Sequence, residues 1–214
     1  MAIVIGADKA TRIARLFHLL WQGECIARDA AGVQARICRD PKVRRFFALQ
    51  AGQEALHATV FHGAATLLAR RGCSLRTPAI AVLDDYRRRL DDDLAAGDLA
   101  GSVVGLQVVL EGLGDVVLKR LNPELNGHGA RFAPWQKMLL AQEDTHHAFG
   151  CRWVEHSPSD ELPGLAATAC GYRDLATRVL NASEELFGYG ISTAESYGER
   201  LRATLPAALT AEQP

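Results

Sequence analysis

The sequence predicts an all-α fold: a four-helix bundle with a crossover helix and two additional C-terminal helices. Three observations lead there. Apolar residues recur at helical spacing along nearly the whole chain, no stretch alternates like a strand, and Pro, Gly and capping residues cut the chain at helix-sized intervals. At 214 residues and 48% hydrophobic, the chain can bury one core, so residues 1–214 read as a single domain. The bundle occupies about 8–156 and the accessory helices about 161–205.

Asp8 is the expected cap of a first helix running to about Cys38, with Ile13, Leu16, Phe17, Leu20, Glu24, Ala27 and Ala31 on one face. Asp40-Pro41 then combines an N-cap with proline at the first helical position, a start signal. This second helix reaches about Arg71 and stops at Gly72, with Phe46, Leu49 or Gln50, Gln53, Glu54, His57, Phe61 and Leu68 turned inward. A third begins at Thr77-Pro78 and ends at Gly97. About 19 residues span ~28 Å, enough to carry the chain back along the bundle as a crossover. Its run 84–93 has mixed sign, three arginines between two acidic groups, and suits a solvated face. Asp98 caps a fourth helix to about Leu121, carrying Val104, Gln107, Val108, Glu111, Asp115 and Leu118 on one side. After the helix-breaking stretch 122–129, a fifth runs from about Pro134 to Glu155. Two shorter helices, about 161–186 and 191–205, precede a frayed tail.

The chemistry lies in two Glu-x-x-His pairs, Glu54–His57 and Glu143–His146. Residues i and i+3 of a helix share a face, so each pair projects a carboxylate and an imidazole together. With 12 Glu and 7 His in 214 residues, chance supplies roughly 0.4 such pairs. Position adds more. Glu24 lies thirty residues before Glu54, with the midpoint at Arg39 beside the Asp40-Pro41 turn. Glu111 lies thirty-two before Glu143, with the midpoint at Gly127. Each glutamate pair straddles its turn evenly, so both members of each hairpin reach the same height.

Four carboxylates inside a bundle are intolerable without compensating positive charge. Two divalent cations would balance them. Carboxylate oxygens with one imidazole per ion suit iron or manganese and leave open coordination positions. Glu24, Glu54 and His57 are expected on one side of the pair, and Glu111, Glu143 and His146 on the other. Asp144–His147 is a competing i, i+3 pair, set aside because His146 shares its stripe with Leu139, Glu143 and Gly150. Asp115 and Gln107, one turn either side of Glu111, are candidates to orient a ligand.

Glu24, Glu54-Ala55-Leu56-His57, Glu111 and Glu143-Asp144-Thr145-His146 together resemble the pattern of the ferritin-like diiron carboxylate proteins, over roughly residues 8–156. Glu143 to Trp153 is similar to the second metal helix of cyanobacterial aldehyde-deformylating oxygenases. The resemblance implies two iron ions as cofactor, with manganese or a mixed Mn/Fe pair as the alternative. Glu54 and Glu111 stand 57 apart, longer than a ferritin crossover, which disfavours a storage cage. No CxxC segment completes a rubrerythrin.

The expected function is an O2-activating nonhaem diiron oxygenase or oxidase acting on a small, largely apolar organic substrate. The alternatives are ferroxidase or peroxidase turnover without an organic substrate, and a bundle that has lost its metal. Phe17, Leu20, Phe61, Val104, Val108 and Phe149 are the expected substrate lining, with Gly23, Gly112 and Gly150 making room. Electrons are expected from an external donor, since no flavin or iron–sulfur motif is visible. The net charge of −1 gives no field for nucleic acid. No uninterrupted apolar run of membrane-span length is present, and an outer helical face offers a homodimer contact. Five cysteines without a CxxC pair read as reduced thiols in the cytoplasm.

Overall fold

The structure, a computed structural model, describes residues 7–69, 72–126, 133–186 and 194–210. The first helix, α1, spans Ala7–Ile37 and so starts one residue ahead of Asp8, whose side chain lies outside the described residues. In α2, Pro41–Leu68, the Asp40 carboxylate accepts from the amides of Lys42 at 2.7 Å and Val43 at 3.1 Å. Beyond its end, Gly72 adopts φ +83, a conformation open to glycine at little cost. The crossover α3, Pro78–Ala95, starts at the expected Thr77-Pro78 and is followed by Gly97 at φ +75. Asp98 caps α4, Leu99–Val103, accepting from the Gly101 amide at 2.8 Å.

The next stretch departs from expectation. Val104–Leu110 is π-helical, and the chain continues as α5, Glu111–Asn126. At the junction the Glu111 amide donates to the Leu106 carbonyl, five residues back. Widened turns of this kind gather at functional sites. Neighbours hold it in place. The Tyr86 hydroxyl donates to the Gly105 carbonyl at 2.6 Å, and His147 Nδ1 lies 3.2 Å from the Gln107 carbonyl. A methyl group on Gly105 would meet the Tyr172 ring at 2.5 Å, and one on Gly150 would meet Gln107 at 2.8 Å. Both glycines therefore let other helices close on the π segment.

The chain then forms α6, Ala133–Glu155, and α7, Leu162–Ala182, with a 3-10 turn at Glu184–Leu186. It ends in α8, Ala194–Thr204, and the short α9, Ala207–Thr210. The breaking stretch near Gly127 and the tail beyond 210 lie outside the described residues. Helices α1 and α2 pair along their length, while α3 lies between α1 and α7. A single large apolar core joins Phe17 and Phe61 to Leu106, Leu139, Tyr86, Leu90, Tyr172 and Leu180. The charged run on α3 is more than a solvated face. Arg87 reaches Asp29 of α1 at 2.8 Å and Asp85 receives Arg178 of α7 at 3.1 Å. Such surface pairs contribute at most about 1 kcal/mol each. Leu99–Lys119 is long and apolar enough to cross a membrane, but 94% of that window is buried in the bundle. It is the core helix.

Candidate metal centre

Six side chains converge inside the bundle. Relative exposures are 0% for Glu54 and His57, 1% for His146, 2% for Glu143, 4% for Glu111 and 8% for Glu24. One ligating atom each from Glu24, Glu54, His57 and Glu143 lie within 4.8 Å of one another, as do those of Glu54, Glu111 and His146. The expected division therefore changes. Glu143 sits with His57, its Oε1 3.3 Å from His57 Nδ1. Glu54 belongs to both groups. Its Oε2 lies 3.0 Å from His57 Nδ1 and its Oε1 2.9 Å from His146 Nδ1, the placement of a carboxylate that spans two positions.

Both imidazoles are aimed by glutamines, and the two hairpins exchange them. His57 Nε2 donates to Gln142 Oε1 at 2.7 Å, while His146 Nε2 donates to Gln53 Oε1 at 2.8 Å. An amide oxygen only accepts, so each Nε2 carries a proton and each Nδ1 faces the carboxylates. Gln53 and Gln142 directly precede Glu54 and Glu143. The repeated Gln-Glu-x-x-His is the signal that identifies them. Gln107 reaches Glu111 at one remove. Its amide donates to Gln34 at 2.7 Å and Gln50 at 2.9 Å, and Gln50 donates to Glu111 Oε1 at 2.7 Å. These buried amides fix one oxygen of Glu111 and leave the other for the centre. Asp115 instead takes Lys119 at 2.7 Å, and Lys119 also reaches Asp144 at 3.2 Å. His147 turns away toward the Gln107 and Thr204 carbonyls.

The electrostatics favour positive charge among these carboxylates. Burial, then the neighbouring Glu143, pushes the Glu24 carboxyl well above its ordinary range. Burial and Glu54 do the same to Glu111. Burial also pushes Glu54 upward, but hydrogen bonds from His146 and His57 outweigh it and hold the group at about 2. For His57, burial lowers the value, and hydrogen bonds to Glu143, Glu24 and Glu54 override it to about 12. Protons thus stand in for positive charge among the carboxylates. Glu54 Oε1, Glu143 Oε1 and His146 Nδ1 are buried and face nothing but the other side chains of the cluster. Ligating atoms pointing at one another, in a set of oxygens and imidazole nitrogens, fit a pair of divalent ions.

Beside the carboxylates lies a cavity of about 640 Å³, including the part that opens to solvent. Its walls come from α1, α3, α5 and α7: Leu16, Leu20 and Gly23 of α1, Leu83, Leu113 and Val117, and Val179 and Leu180. Glu24, Glu111 and Glu143 line it as well. Of the expected lining only Leu20 is there, together with Gly23, whose added methyl group would meet open space. Phe17 and Phe61 stack on each other at 5.8 Å, and Phe149 on Phe46 at 3.9 Å. The room opens outside the four-helix core because α3 and α7 cover the flank of α1 and α5.

No family model matches the sequence, and no curated protein matches it. Among solved structures the chain is similar to protein 19 with aldehyde deformylating oxidase activity from Synechococcus, at 17% identity and a TM-score of 0.76. The alignment covers 97% of this chain and 93% of that one. The likeness thus takes in the C-terminal helices as well as the bundle, and the fold is a ferritin-like helical bundle.

Proposed function

We propose that the protein is an O2-activating nonhaem diiron oxygenase or oxidase acting on a small, largely apolar organic molecule. The observation that carries this reading is the apolar cavity ending on Glu24, Glu111 and Glu143. Glu24, Glu54, His57 and Glu143 would hold one ion, and Glu54, Glu111 and His146 the other. When bound, the pair supplies redox chemistry toward O2 that no side chain has. The chain's own part is positional. Gln53 and Gln142 hold the imidazole Nδ1 atoms inward, Gln50 holds Glu111, and the leucine and valine walls exclude water from the reacting end.

From Leu16 to Glu24 the cavity follows α1 for ~12 Å. Its other polar side chain, Ser183, already donates its hydroxyl to Val179 O at 2.6 Å. A ligand therefore finds polar groups at the carboxylate end and aliphatic wall elsewhere. Iron or peroxide handling needs no such wall. We place the enzyme in the cytoplasm, its five cysteines thiols.

Gly23→Phe tests the reading, because Gly23 lines the cavity and a Cβ added there meets nothing within 4 Å. Apolar aldehydes head the substrate panel, since the structural neighbour bears an aldehyde deformylating oxidase activity. Substrate-dependent O2 consumption should fall more than about tenfold while two metal ions per chain remain. Undiminished consumption would refute a substrate in this cavity. Iron oxidation in wild type without any stimulation by panel members would favour the ferroxidase alternative.

A further inference from the structure

Substrate and electrons need separate routes, and the two sides of the centre differ. The cavity reaches three carboxylates and neither imidazole. On the far side, between α2 and α6, His146 meets a run of aromatic rings. Phe46 lies edge-on to it at 6.1 Å, Phe149 stacks on Phe46 at 3.9 Å, and Trp153 lies 6.1 Å from Phe149. All three outer rings are half-buried, so the run ends at the surface. Electron tunnelling weakens exponentially with distance and fastest across gaps, and rings in contact leave none.

The surrounding surface is basic and apolar. Lys42 is one turn before Phe46 on the same face of α2, Arg45 precedes Phe46, and Arg152 is three residues after Phe149; all three are exposed. Leu49, 60% exposed, lies one turn further along α2. From Phe46 to Leu68 the one Asp, Glu, Lys or Arg is Glu54, which faces inward, while of the two histidines His57 is buried and His62 exposed. Of the nearby acids, Asp40 already accepts two amides as the α2 cap, and Glu155 is exposed. Positive charge around an apolar centre complements a negatively charged protein with an apolar contact patch.

We propose that this α2–α6 surface is where a small acidic one-electron carrier protein docks, and that Trp153, Phe149 and Phe46 conduct its electrons to His146. The assignment rests on the oxidase reading above. Each encounter would pass one electron from the carrier, which is oxidised by one unit, through the ring contacts toward the ions that Glu54, Glu111 and His146 would hold. Two encounters deliver two electrons, and the rings gain and lose nothing.

The probe is a reduced acidic [2Fe–2S] ferredoxin, its affinity measured by titration at low and high salt against metal-free and iron-loaded protein. Combined Lys42→Glu, Arg45→Glu and Arg152→Glu should weaken binding at least about tenfold at low salt. The control Arg88→Glu with Arg178→Glu, on α3 and α7, should leave it unchanged. Phe46→Leu with Phe149→Leu should keep the affinity but slow reduction by ferredoxin about tenfold, with reduction by dithionite unaltered. Equal binding by wild type and the triple variant, an equal loss in the control, or no ferredoxin binding at all would overturn the proposal. So would a wild-type homodimer that the triple variant dissociates, since a second copy would then cover the surface. Ferredoxin docking on a protein that takes up no iron would sink the oxidase reading while leaving the docking surface in place.

Discussion

Replacing Gln53 by Leu removes the acceptor of His146 Nε2 while keeping the side chain's bulk. The bond is 2.8 Å long and the imidazole is 1% exposed. An unsatisfied buried donor costs about 1–3 kcal/mol. Gln53 itself is half-buried, so water can replace part of the lost bond. About 1.5 kcal/mol remains, or roughly tenfold in metal affinity. That falls within the ~10–100-fold range for partners that orient a metal-binding imidazole. The loss should be confined to the position built from Glu54, Glu111 and His146. Titration with Co(II), followed by its visible bands, resolves the two positions, and a melting curve confirms folding. Gln142→Leu should shift the other phase, through His57. Titrations of folded Gln53→Leu that superimpose on wild type would refute the claim that these amides aim the ligands.

Glu54→Ala should reduce metal content at both positions, because its two oxygens face different imidazoles; elemental analysis after anaerobic Fe(II) loading reads this directly. His147→Ala should keep near-normal metal content but lose about 1–2 kcal/mol of stability in chemical denaturation, since its ring bridges α6 to the Gln107 and Thr204 carbonyls. Gly150→Ala should cost about 1–3 kcal/mol, because the new methyl group meets Gln107 at 2.8 Å. Loading should expel protons from Glu24, Glu111 and His57, so metal affinity should rise with pH, a trend that calorimetry in two buffers can count. In the metal-free protein these raised groups stabilise the fold most at low pH, and the melting temperature should fall as pH rises through their folded values. Glu54, held at about 2, acts oppositely and withdraws its contribution only as pH falls toward that value.

What the sequence revealed was local. Asp40-Pro41, Asp98, Gly72 and Gly97 announce helix ends because caps and positive φ are decided within a few residues. That the six side chains would converge was legible because a three-residue step on a helix fixes a shared face. The pairing of Glu143 with His57, and the exchange of Gln53 and Gln142 between hairpins, depends on how two distant segments meet. Repeated Gln-Glu-x-x-His marks those glutamines without saying which imidazole each one holds. The cavity was misplaced for a similar reason: its far wall is Val179 and Leu180 of α7, which no periodicity in the bundle helices reports. Nothing in Val104–Leu110 distinguishes a π segment from an ordinary buried helix, since its carbonyl partners Tyr86 and His147 come from elsewhere.

That segment also separates two angular registers on one continuous rod. A regular helix turns ~100° per residue, and the five-back bond already takes up one residue more than a regular turn, so adding a further position in 104–110 would swing every side chain before it by about that angle relative to Glu111. Upstream residues answer to Tyr86, Tyr172 and Gln34, downstream ones to the carboxylate cluster. A one-residue insertion there should produce a protein in which either the accessory layer or the carboxylate cluster is correctly phased, but not both.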